Sequence, residues 1–450
     1  MKSAAGVSLS VAMWVLTRAA LLLCVLKVIL VRGPDVTSDV AVIYRGWYEV
    51  LRTGTYPVDD VTWQYPPAAA LAILSPALLP FLGYVTAFFV LSLVCDAVAL
   101  GLLLHAGRRP GRSLRGAWTW VAGVPLLGPT AYARYDLMVT AVAVAALLAA
   151  ARRPVAAGAL VGFGALLKVW PVLLLAGVRQ RRTWATAAFT AGALLLLFAV
   201  AAPGALAFLT FQRDRGTEIE SLGALVFHVA RYAGWWDGQV LLNYGSMEFL
   251  GPYVPLVSGV AMALTVLALG WLLVWRLRAT EFTTGTAPDA AFTAVLLFTT
   301  TSRVISPQYM IWLVGTGAVC LAFRSSRMAL PAVLVLAATG VTFLEFPVWF
   351  SHVVAGHPLG IALLALRNGL LVAATLLACR RLWTGTVSGP WRHGRRGPLA
   401  QPVRDNELLR YPGGGTGTTR RNGRASAAQR PATARAVARR AQGSPRPDSP

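Results

Sequence analysis

Residues 84–104 read YVTAFFVLSLVCDAVALGLLL, an apolar run that carries a single charge, Asp96. An apolar stretch of about 18 or more residues can cross a bilayer as a helix, because a helix satisfies its own backbone hydrogen bonds in hydrocarbon. The run has no period-two alternation of the kind found in membrane β-barrels. It therefore predicts a membrane-spanning α-helix.

Comparable runs recur along the chain, which predicts an all-α polytopic membrane protein with a bundle of about 10–12 transmembrane helices. The first run is longer than the apolar core of a signal peptide, so we expect it to be a retained span. Two further apolar segments are interrupted, 66–83 by four prolines and 155–178 by Lys168 and Pro171, and we expect short hairpins or broken helices there. The clearest uninterrupted runs are residues 7–31, 183–202, 254–275, 328–344 and 359–379.

The composition excludes a water-soluble globular protein. Of the 450 residues, 56% are hydrophobic and 13% are charged, and the mean hydropathy is +0.60. A soluble domain carries about 25% charged residues, so this chain has too little polar surface to face water on all sides. The four cysteines are scattered through apolar runs without paired spacing. They indicate small core side chains and neither disulfides nor a metal site.

The formal net charge is +23, and much of it lies after the last apolar run. Residues 380–450 contain fifteen arginines and three acids in a stretch rich in Gly, Pro, Ser, Thr and Ala. Such a composition cannot bury a core, which predicts a transmembrane domain at 1–382 and a disordered basic tail at 383–450. A basic tail can bind nucleic acid. We favour a cytoplasmic tail that lies on anionic lipid and binds no nucleic acid.

Arginine-rich loops predict the orientation of the protein in its membrane, because short basic loops tend to face the cytoplasm. The segments between these loops, among them 32–65, 204–250 and 302–309, then lie on the outer side together with most of the acidic residues. We therefore expect the functional surface to be on the outer side. The basic loops are residues 108–112, 152–153, 179–182, 276–278 and 324–327.

The first outer segment predicts a helix at the membrane surface. Ser38 is suited to cap a helix that begins near Asp39, and Gly54 is suited to end it. Partial desolvation of the Asp39 carboxylate at that surface favours a general base. The alternative is an acid that only complements the helix dipole. Five apolar residues share one helical face, which favours a helix lying in the interface: Val40, Ile43, Trp47, Val50 and Leu51.

Four short motifs follow one another along the chain. The first is Ser38-Asp39 with Tyr44, Trp47, Leu51 and Gly54, followed by Trp63-Gln64-Tyr65-Pro66-Pro67; the second is Arg134-Tyr135-Asp136-Leu137. The third runs from Gly158 to Pro171 and contains Lys168, and the fourth is SRVISPQYMIW from Ser302 to Trp312. A weaker fifth is RGTEIESL from Arg215 to Leu222. Together, in one polytopic chain, they resemble glycosyltransferase family 87, the polyprenol-phosphate-mannose-dependent α-mannosyltransferases of the GT-C superfamily.

The resemblance implies a membrane hexosyltransferase of the bacterial cell membrane, acting with mannose or another sugar carried on a polyprenyl phosphate. The acceptor, a hydroxyl of a glycolipid or glycan, would enter from the outer side. Asp39 matches the general base of GT-C enzymes, and displacement of a β-linked donor would invert the anomeric carbon. Membrane lipids and the lipid-linked donor would be the partners, and no cofactor is implied.

The leaving phosphate asks for fixed cations near the membrane surface. Arg303, in the fourth motif, is the first candidate, and Arg45 is the next. Lys168 lies inside an apolar segment, where a lysine is a functional candidate; the alternative is that it snorkels to the inner surface. The candidates for binding the sugar or the acceptor are Tyr44, Tyr65, Asp136, Gln308 and Tyr309.

Several of these residues also have structural interpretations. Arg134 and Asp136 can pair with each other, and Gln308 and Tyr309 can serve packing and helix capping. The histidines of the predicted outer side show no metal-ligand spacing, so we expect no metal. Asp96 is a buried acid for which the sequence identifies no partner.

Two other functions compete with the enzyme. A transporter or flippase of lipid-linked sugars should show internal repeats with matched broken helices, and the break at 155–178 has no counterpart in the sequence. A non-catalytic scaffold with a recruiting tail does not explain why polar residues concentrate on one predicted side.

Overall fold

The computed structural model describes residues 4–211 and 216–387, and most of the regular structure in these ranges is helical. The helices of the first half are α1 (Ala4–Val25), α2 (Arg45–Leu51), α3 (Ala69–Leu74), α4 (Tyr84–Gly107), α5 (Arg115–Leu126), α6 (Asp136–Ala149), α7 (Pro154–Leu167) and α8 (Arg181–Ala201). Those of the second half are α9 (Phe208–Phe211), α10 (Ala224–Tyr232), α11 (Val254–Arg278), α12 (Thr286–Thr301), α13 (Tyr309–Ala322), α14 (Ala329–Phe343), α15 (Phe350–Ala355) and α16 (Pro358–Thr386).

Within residues 4–211 and 216–387, six helices are long and apolar enough to cross a membrane: α1, α4, α8, α11, α16, and α14 with its continuation to Val348. They coincide with the six apolar runs, so the prediction of a polytopic helical membrane protein is confirmed. The first run ends earlier than predicted, because α1 stops at Val25 and Lys27 adopts a left-handed conformation with φ of 61°.

In the part of the chain that the structure describes, three of the four shorter apolar helices have equal length and lie inside the bundle. α6, α7 and α13 have 14 residues each, fewer than the roughly 20 that a perpendicular crossing needs. Most of their side chains are buried against other helices, so protein surrounds the chain where these helices end. α6 begins at Asp136, α13 begins at Tyr309, and α7 ends directly before Lys168. The short inner helices therefore present motif residues at their ends.

Both proline-interrupted segments are broken helices. α3 continues into a 3₁₀ turn at Ser75–Leu78, and α7 is followed by an extended Lys168 and a 3₁₀ stretch at Trp170–Gly177. Proline has no N–H to donate and clashes with the preceding turn, which explains why neither segment continues as an α-helix. The extended backbone at Lys168 (φ −159°, ψ 141°) turns its side chain away from the axis of α7.

The helix of the first outer segment begins at Asp39, as predicted, but its first turns, Asp39–Tyr44, are π-helical and lead directly into α2. The Ser38 hydroxyl does not cap it and donates to the Asp35 carbonyl at 2.7 Å. The wider π turns shift the register, so Tyr44 is buried and Val50 is 37% exposed. The predicted apolar face was therefore wrong in part. Trp47 is buried, and its indole N–H donates to Asp60 at 2.8 Å.

A small antiparallel sheet in the segment after α9 was not predicted. It consists of β1 (Thr217–Glu218), β2 (Gln239–Asn243) and β3 (Ser246–Leu250), in the order β1-β3-β2. Tyr244 and Gly245 form the β2–β3 turn, both with positive φ. Ile219, Phe227 and Phe249 build a second, smaller hydrophobic cluster beneath the sheet.

The helical bundle contains a fully buried polar network around Asp96 of α4. Arg18 of α1 donates to its Oδ2 from Nε at 2.8 Å, as does the Tyr132 hydroxyl at 2.8 Å. The indoles of Trp14 and Trp120 donate to its Oδ1 at 2.9 and 2.6 Å. The partner of Asp96 is therefore Arg18, and the network joins α1, α4 and α5.

The predicted domain boundary falls within the last helix, since α16 continues through Thr386. The remainder of the predicted tail, residues 388–450, lies outside the described residues, as do residues 1–3 and 212–215.

Candidate active site

The connection between α5 and α6 organises the site. It contains a 3₁₀ turn at Gly128–Ala131 and then places successive side chains against different parts of the protein. Tyr132 donates to Asp96, Arg134 pairs with Asp39, and the Tyr135 hydroxyl donates to the Leu167 carbonyl at 3.3 Å. Asp136, the first residue of α6, pairs with Lys168. One short segment therefore fixes the first outer segment and the broken end of α7 relative to the α1–α4–α5 network.

Asp39 lies on the first π-helical turn and forms an ion pair with Arg134. Arg134 Nη2 lies 2.6 Å from Asp39 Oδ2, and the two side chains are 11% and 32% exposed. Arg134 Nη1 donates to the carbonyls of Val36 at 3.0 Å and Ala133 at 2.8 Å. Burial disfavours the charge on Arg134, but Asp39 and neighbouring tyrosines outweigh it and raise the pKa of Arg134.

The two oxygens of Asp39 differ. Oδ2 is held by Arg134, whereas Oδ1 accepts no hydrogen bond from any residue within 4–211 or 216–387. A general base needs an oxygen within reach of the proton that it removes. The arrangement supplies one fixed oxygen and one open oxygen on the same carboxylate.

Lys168 forms a second ion pair, with its Nζ 2.7 Å from Asp136 Oδ1. The Trp312 indole donates to the same oxygen at 2.6 Å, and Asp136 is almost completely buried. Lys168 therefore does not snorkel to a membrane surface. Asp136 pairs with Lys168 and Arg134 pairs with Asp39, so Arg134 and Asp136 do not form the direct pair that the sequence left open as one interpretation.

Four aromatic rings surround the Lys168 ammonium, an arrangement that attracts a cation through the ring quadrupoles. Nζ lies between 5.1 and 5.7 Å from the ring centroids of Tyr65, Tyr135, Tyr309 and Trp312. Tyr65 meets Tyr135 edge-on at 5.3 Å, and Tyr309 stacks on Trp312 at 3.9 Å. All four rings come from the motifs that the sequence singled out.

Tyr44 joins this aromatic group to Asp39. Its ring lies 6.0 Å from that of Tyr135, and it is five residues after Asp39 on the same helical stretch. The structure therefore brings together six of the predicted site residues, from four separate chain segments: Asp39, Tyr44, Tyr65, Asp136, Lys168 and Tyr309.

The other predicted residues are placed differently. Arg303 is half-buried, and its carbonyl accepts the Glu218 N–H at 3.1 Å, while Ser306 donates to the Glu218 carboxylate at 2.9 Å. β1 therefore holds the turn that carries Arg303. Gln308 is half-buried and directly precedes α13. Arg45 is exposed, and its side chain makes no hydrogen bond or ion pair within the described part of the chain.

Sequence reasoning missed a buried charge cluster near the turn that carries Arg303. Arg367 of α16 lies with its Nε 3.2 Å from Glu345 Oε2 and donates from Nη2 to the Glu220 carbonyl at 2.8 Å. Burial, followed by the charges of Glu345 and Glu218, raises the pKa of Glu220 well above its usual range. The sequence contained a signal for this cluster, because Arg367 lies inside the apolar run 359–379. A charge in such a run is costly unless it is paired. The cluster anchors residues 216–221 to α16.

The histidines of the predicted outer side do not form a shared site. His228 is buried and bonds to the Ile219 carbonyl at 2.9 Å, whereas His352 and His357 pack against each other with ring centroids 4.8 Å apart. Within residues 4–211 and 216–387, no group of three or more His, Cys, Asp or Glu side chains is placed to hold a metal ion.

Residues 63–307, more than half of the chain, match the profile of glycosyltransferase family 87. The chain belongs to glycosyltransferase family 87. The family 87 match includes Arg134, Asp136, Lys168 and Arg303, and it begins after Asp39. The protein is therefore a multi-pass membrane glycosyltransferase.

This family 87 protein was also compared with curated sequences and with solved structures. No curated protein sequence matches it. Among solved structures, it is similar to that of ArnT from Cupriavidus metallidurans bound to undecaprenyl phosphate, with a TM-score of 0.42 and 15% sequence identity. That similarity covers 85% of this chain and 78% of the ArnT chain.

Proposed function

We propose that this glycosyltransferase transfers a hexose, in the first instance mannose, from a polyprenyl phosphate to an acceptor hydroxyl, with Asp39 as the general base. The observation that carries the proposal is the half-open Asp39 carboxylate, with Oδ2 fixed by Arg134 and Oδ1 available. It lies beside motif side chains from three other segments. A donor that arrives from the lipid suits an enzyme whose described residues form a bundle of membrane-spanning helices.

The proposed reaction is a single displacement. The acceptor oxygen forms a bond to the anomeric carbon while the bond between that carbon and the phosphate oxygen breaks. The acceptor proton passes to Asp39 Oδ1, and the electron pair leaves with the polyprenyl phosphate monoester. Attack from the face opposite the leaving group inverts a β-linked donor to an α-linked product.

The leaving phosphate requires stabilisation by fixed cations. Arg303 is the first candidate because β1 holds its turn in place. Arg45 is the second, because it is exposed one residue after the buried Tyr44. Lys168 supplies a third cation, although Asp136 offsets its charge at 2.7 Å. These three residues form the proposed phosphate-binding group.

The aromatic side chains would bind the sugar. Sugar rings pack on aromatic faces, while a small number of polar groups fix their orientation, as in other small-molecule sites. Tyr44, Tyr65 and Tyr309 supply rings, and Asp136 and Gln308 supply polar atoms for sugar or acceptor hydroxyls. We place this site on the outer side of a bacterial cell membrane, with a glycolipid or glycan as acceptor and the C-terminal tail in the cytoplasm.

The test replaces Asp39 with Asn in the full-length protein, purified and reconstituted in vesicles. Polyprenyl-phosphate-mannose is supplied as donor with a panel of glycolipid acceptors. We expect transfer to fall on the order of a hundredfold or more, because the base is lost while folding is retained. Asp59→Asn is the matched control, since Asp59 is an exposed acid of the same outer segment.

Three outcomes separate the alternatives. Unchanged transfer by Asp39→Asn would eliminate the base assignment. Transfer that occurs from polyprenyl-phosphate glucose or arabinose, and not from the mannose donor, would correct the sugar. A transporter of lipid-linked sugars would move the donor between leaflets without forming a glycosylated product.

A further inference from the structure

We infer that Arg134 is a positioning residue that fixes Asp39 Oδ2, so that Oδ1 is turned toward the incoming acceptor hydroxyl. The inference rests on the proposed role of Asp39 as general base. It adds a second residue to the reaction, one that acts through Asp39 and does not itself touch the substrate.

The geometry around Arg134 fixes its guanidinium in one position. A guanidinium carries five N–H donors in a rigid planar fork. In this protein, Nη1 donates to the carbonyls of Val36 and Ala133, and Nη2 reaches Asp39. Val36 lies three residues before Asp39, and Ala133 directly precedes Arg134. The guanidinium is therefore tied to the main chain on both sides of the contact, and the direction of Asp39 Oδ2 follows from the backbone.

The alternative role for Arg134 is to bind the donor phosphate. Moving the guanidinium to a phosphate would leave two main-chain carbonyls and a carboxylate without their donors. An unsatisfied buried polar group costs about 1–3 kcal/mol, and a charged one costs more. Arg303 and Arg45 remain the phosphate candidates of the proposed function. The hydrogen bonds of Arg134 therefore favour positioning over phosphate binding.

Other ionisable groups also face Asp39 and Arg134. They are Tyr44 on the same helical stretch, Tyr65 from the following loop, and Asp136 at the start of α6. The charge of Asp136 is offset by Lys168. Within residues 4–211 and 216–387, Arg134 is the cation that contacts Asp39. Removal of Arg134 therefore leaves Asp39 without a contacting cation in the described residues.

The test measures kcat and donor KM for transfer from polyprenyl-phosphate-mannose with Arg134→Gln and Arg134→Lys in the full-length protein. We expect Arg134→Gln to lower kcat on the order of a hundredfold, as for a misplaced reacting group. Donor KM should change by less than about threefold, because a positioning residue contributes no substrate binding. The kcat of Arg134→Lys should lie between those of the unmodified protein and Arg134→Gln, since one ammonium cannot donate to all three acceptors.

Arg52→Gln is the matched control, because Arg52 also pairs with a carboxylate in this outer segment. Its Nη1 lies 3.4 Å from Glu49, and both side chains are more than half exposed, at 59% and 58%. Its kcat and donor KM should match those of the unmodified protein. Size-exclusion profiles and melting temperatures establish which variants fold. If Arg134→Gln does not fold, Arg134→Lys carries the test.

The outcomes separate this inference from the proposed function. Transfer by Asp39→Asn at the unmodified rate would overturn the proposed function itself. An inactive Asp39→Asn beside an unchanged kcat for a folded Arg134→Gln variant would overturn only the positioning role. A large rise in donor KM with an unchanged kcat would identify Arg134 as a phosphate ligand and likewise overturn it.

Discussion

Two aspartates of this protein each pair with an arginine, and the difference between them separates structure from chemistry. Asp96 is fully buried, and four side chains, those of Arg18, Trp14, Trp120 and Tyr132, donate to its two oxygens. Asp39 is 32% exposed, and among the described residues Arg134 holds Oδ2 while Oδ1 accepts no hydrogen bond. A carboxylate whose oxygens are all engaged has no capacity left for a substrate. A carboxylate that is half engaged is oriented and still available.

The two pairs are linked through one chain segment. Tyr132 donates to Asp96, and Arg134, two residues later, contacts Asp39. The buried network therefore supports the open carboxylate by fixing the segment from which Arg134 reaches it. This arrangement matches the general rule that a reactive group is held by neighbours whose own positions are locked.

The largest effect is expected from breaking the buried pair. Asp96→Asn replaces one of the two acceptor oxygens with an amide NH₂ and leaves Arg18 as an unpaired charge in the bundle interior. Removing one member of a buried ion pair costs about 3–5 kcal/mol. We expect a sharply lower melting temperature and little folded protein, measured by fluorescence size-exclusion chromatography after heating. Asp39→Asn should melt close to the unmodified protein. An equal drop in melting temperature for both variants would contradict the distinction between a structural Asp96 and a catalytic Asp39.

The apolar patterning of the sequence predicts the bundle well. The six long runs and both broken segments follow from hydropathy and proline positions alone. Burial patterns of the inner helices are harder to read, because α6, α7 and α13 are apolar on every side and shorter than a full crossing. Sequence cannot separate a short buried helix from part of a span when both are uniformly apolar.

The site was predictable as a set of residues and not as a set of contacts. The motifs identified Asp39, Asp136 and Lys168, which the structure brings close together. The pairing of Arg134 with Asp39 depends on the π-helical turn at Asp39–Tyr44 and on the tight connection before α6. Neither feature has a periodic signature. The sheet was missed because its strands have two and five residues, and the Tyr244-Gly245 turn was the available hairpin signal.

A third ion pair, Lys168 with Asp136, extends the comparison. It is buried like the pair of Arg18 with Asp96, and it belongs to the candidate site like the pair of Arg134 with Asp39. Lys168→Met leaves Asp136 with Trp312 as its remaining hydrogen-bond donor in the described residues. We expect a loss of about 2–3 kcal/mol, less than for Asp96→Asn, because the Trp312 bond persists. Thermal unfolding measures the loss, and transfer from polyprenyl-phosphate-mannose measures activity.

The double variant Asp136→Asn/Lys168→Met separates the two roles of this pair. It removes both charges and keeps an acceptor for the Trp312 indole, so stability should recover toward that of the unmodified protein. Transfer should stay low, because the cation beside the aromatic rings is gone. Recovery of activity together with stability would show that the pair is structural only, like that of Asp96.

The smallest effect is expected from an exposed pair, Lys27 with Asp35, which joins the end of α1 to the first outer segment. Their charged atoms are 2.8 Å apart, no farther than those of Arg18 and Asp96, but the side chains are 56% and 46% exposed. Exposed ion pairs contribute about 0–1 kcal/mol, since water solvates both charges when the pair is broken. Lys27→Gln should therefore change the melting temperature little and leave transfer unchanged. The two ion pairs have the same distance and differ in burial. If Lys27→Gln lowered the melting temperature as much as Asp96→Asn, the stability of each pair would depend on distance, and not on burial and the number of engaged oxygens.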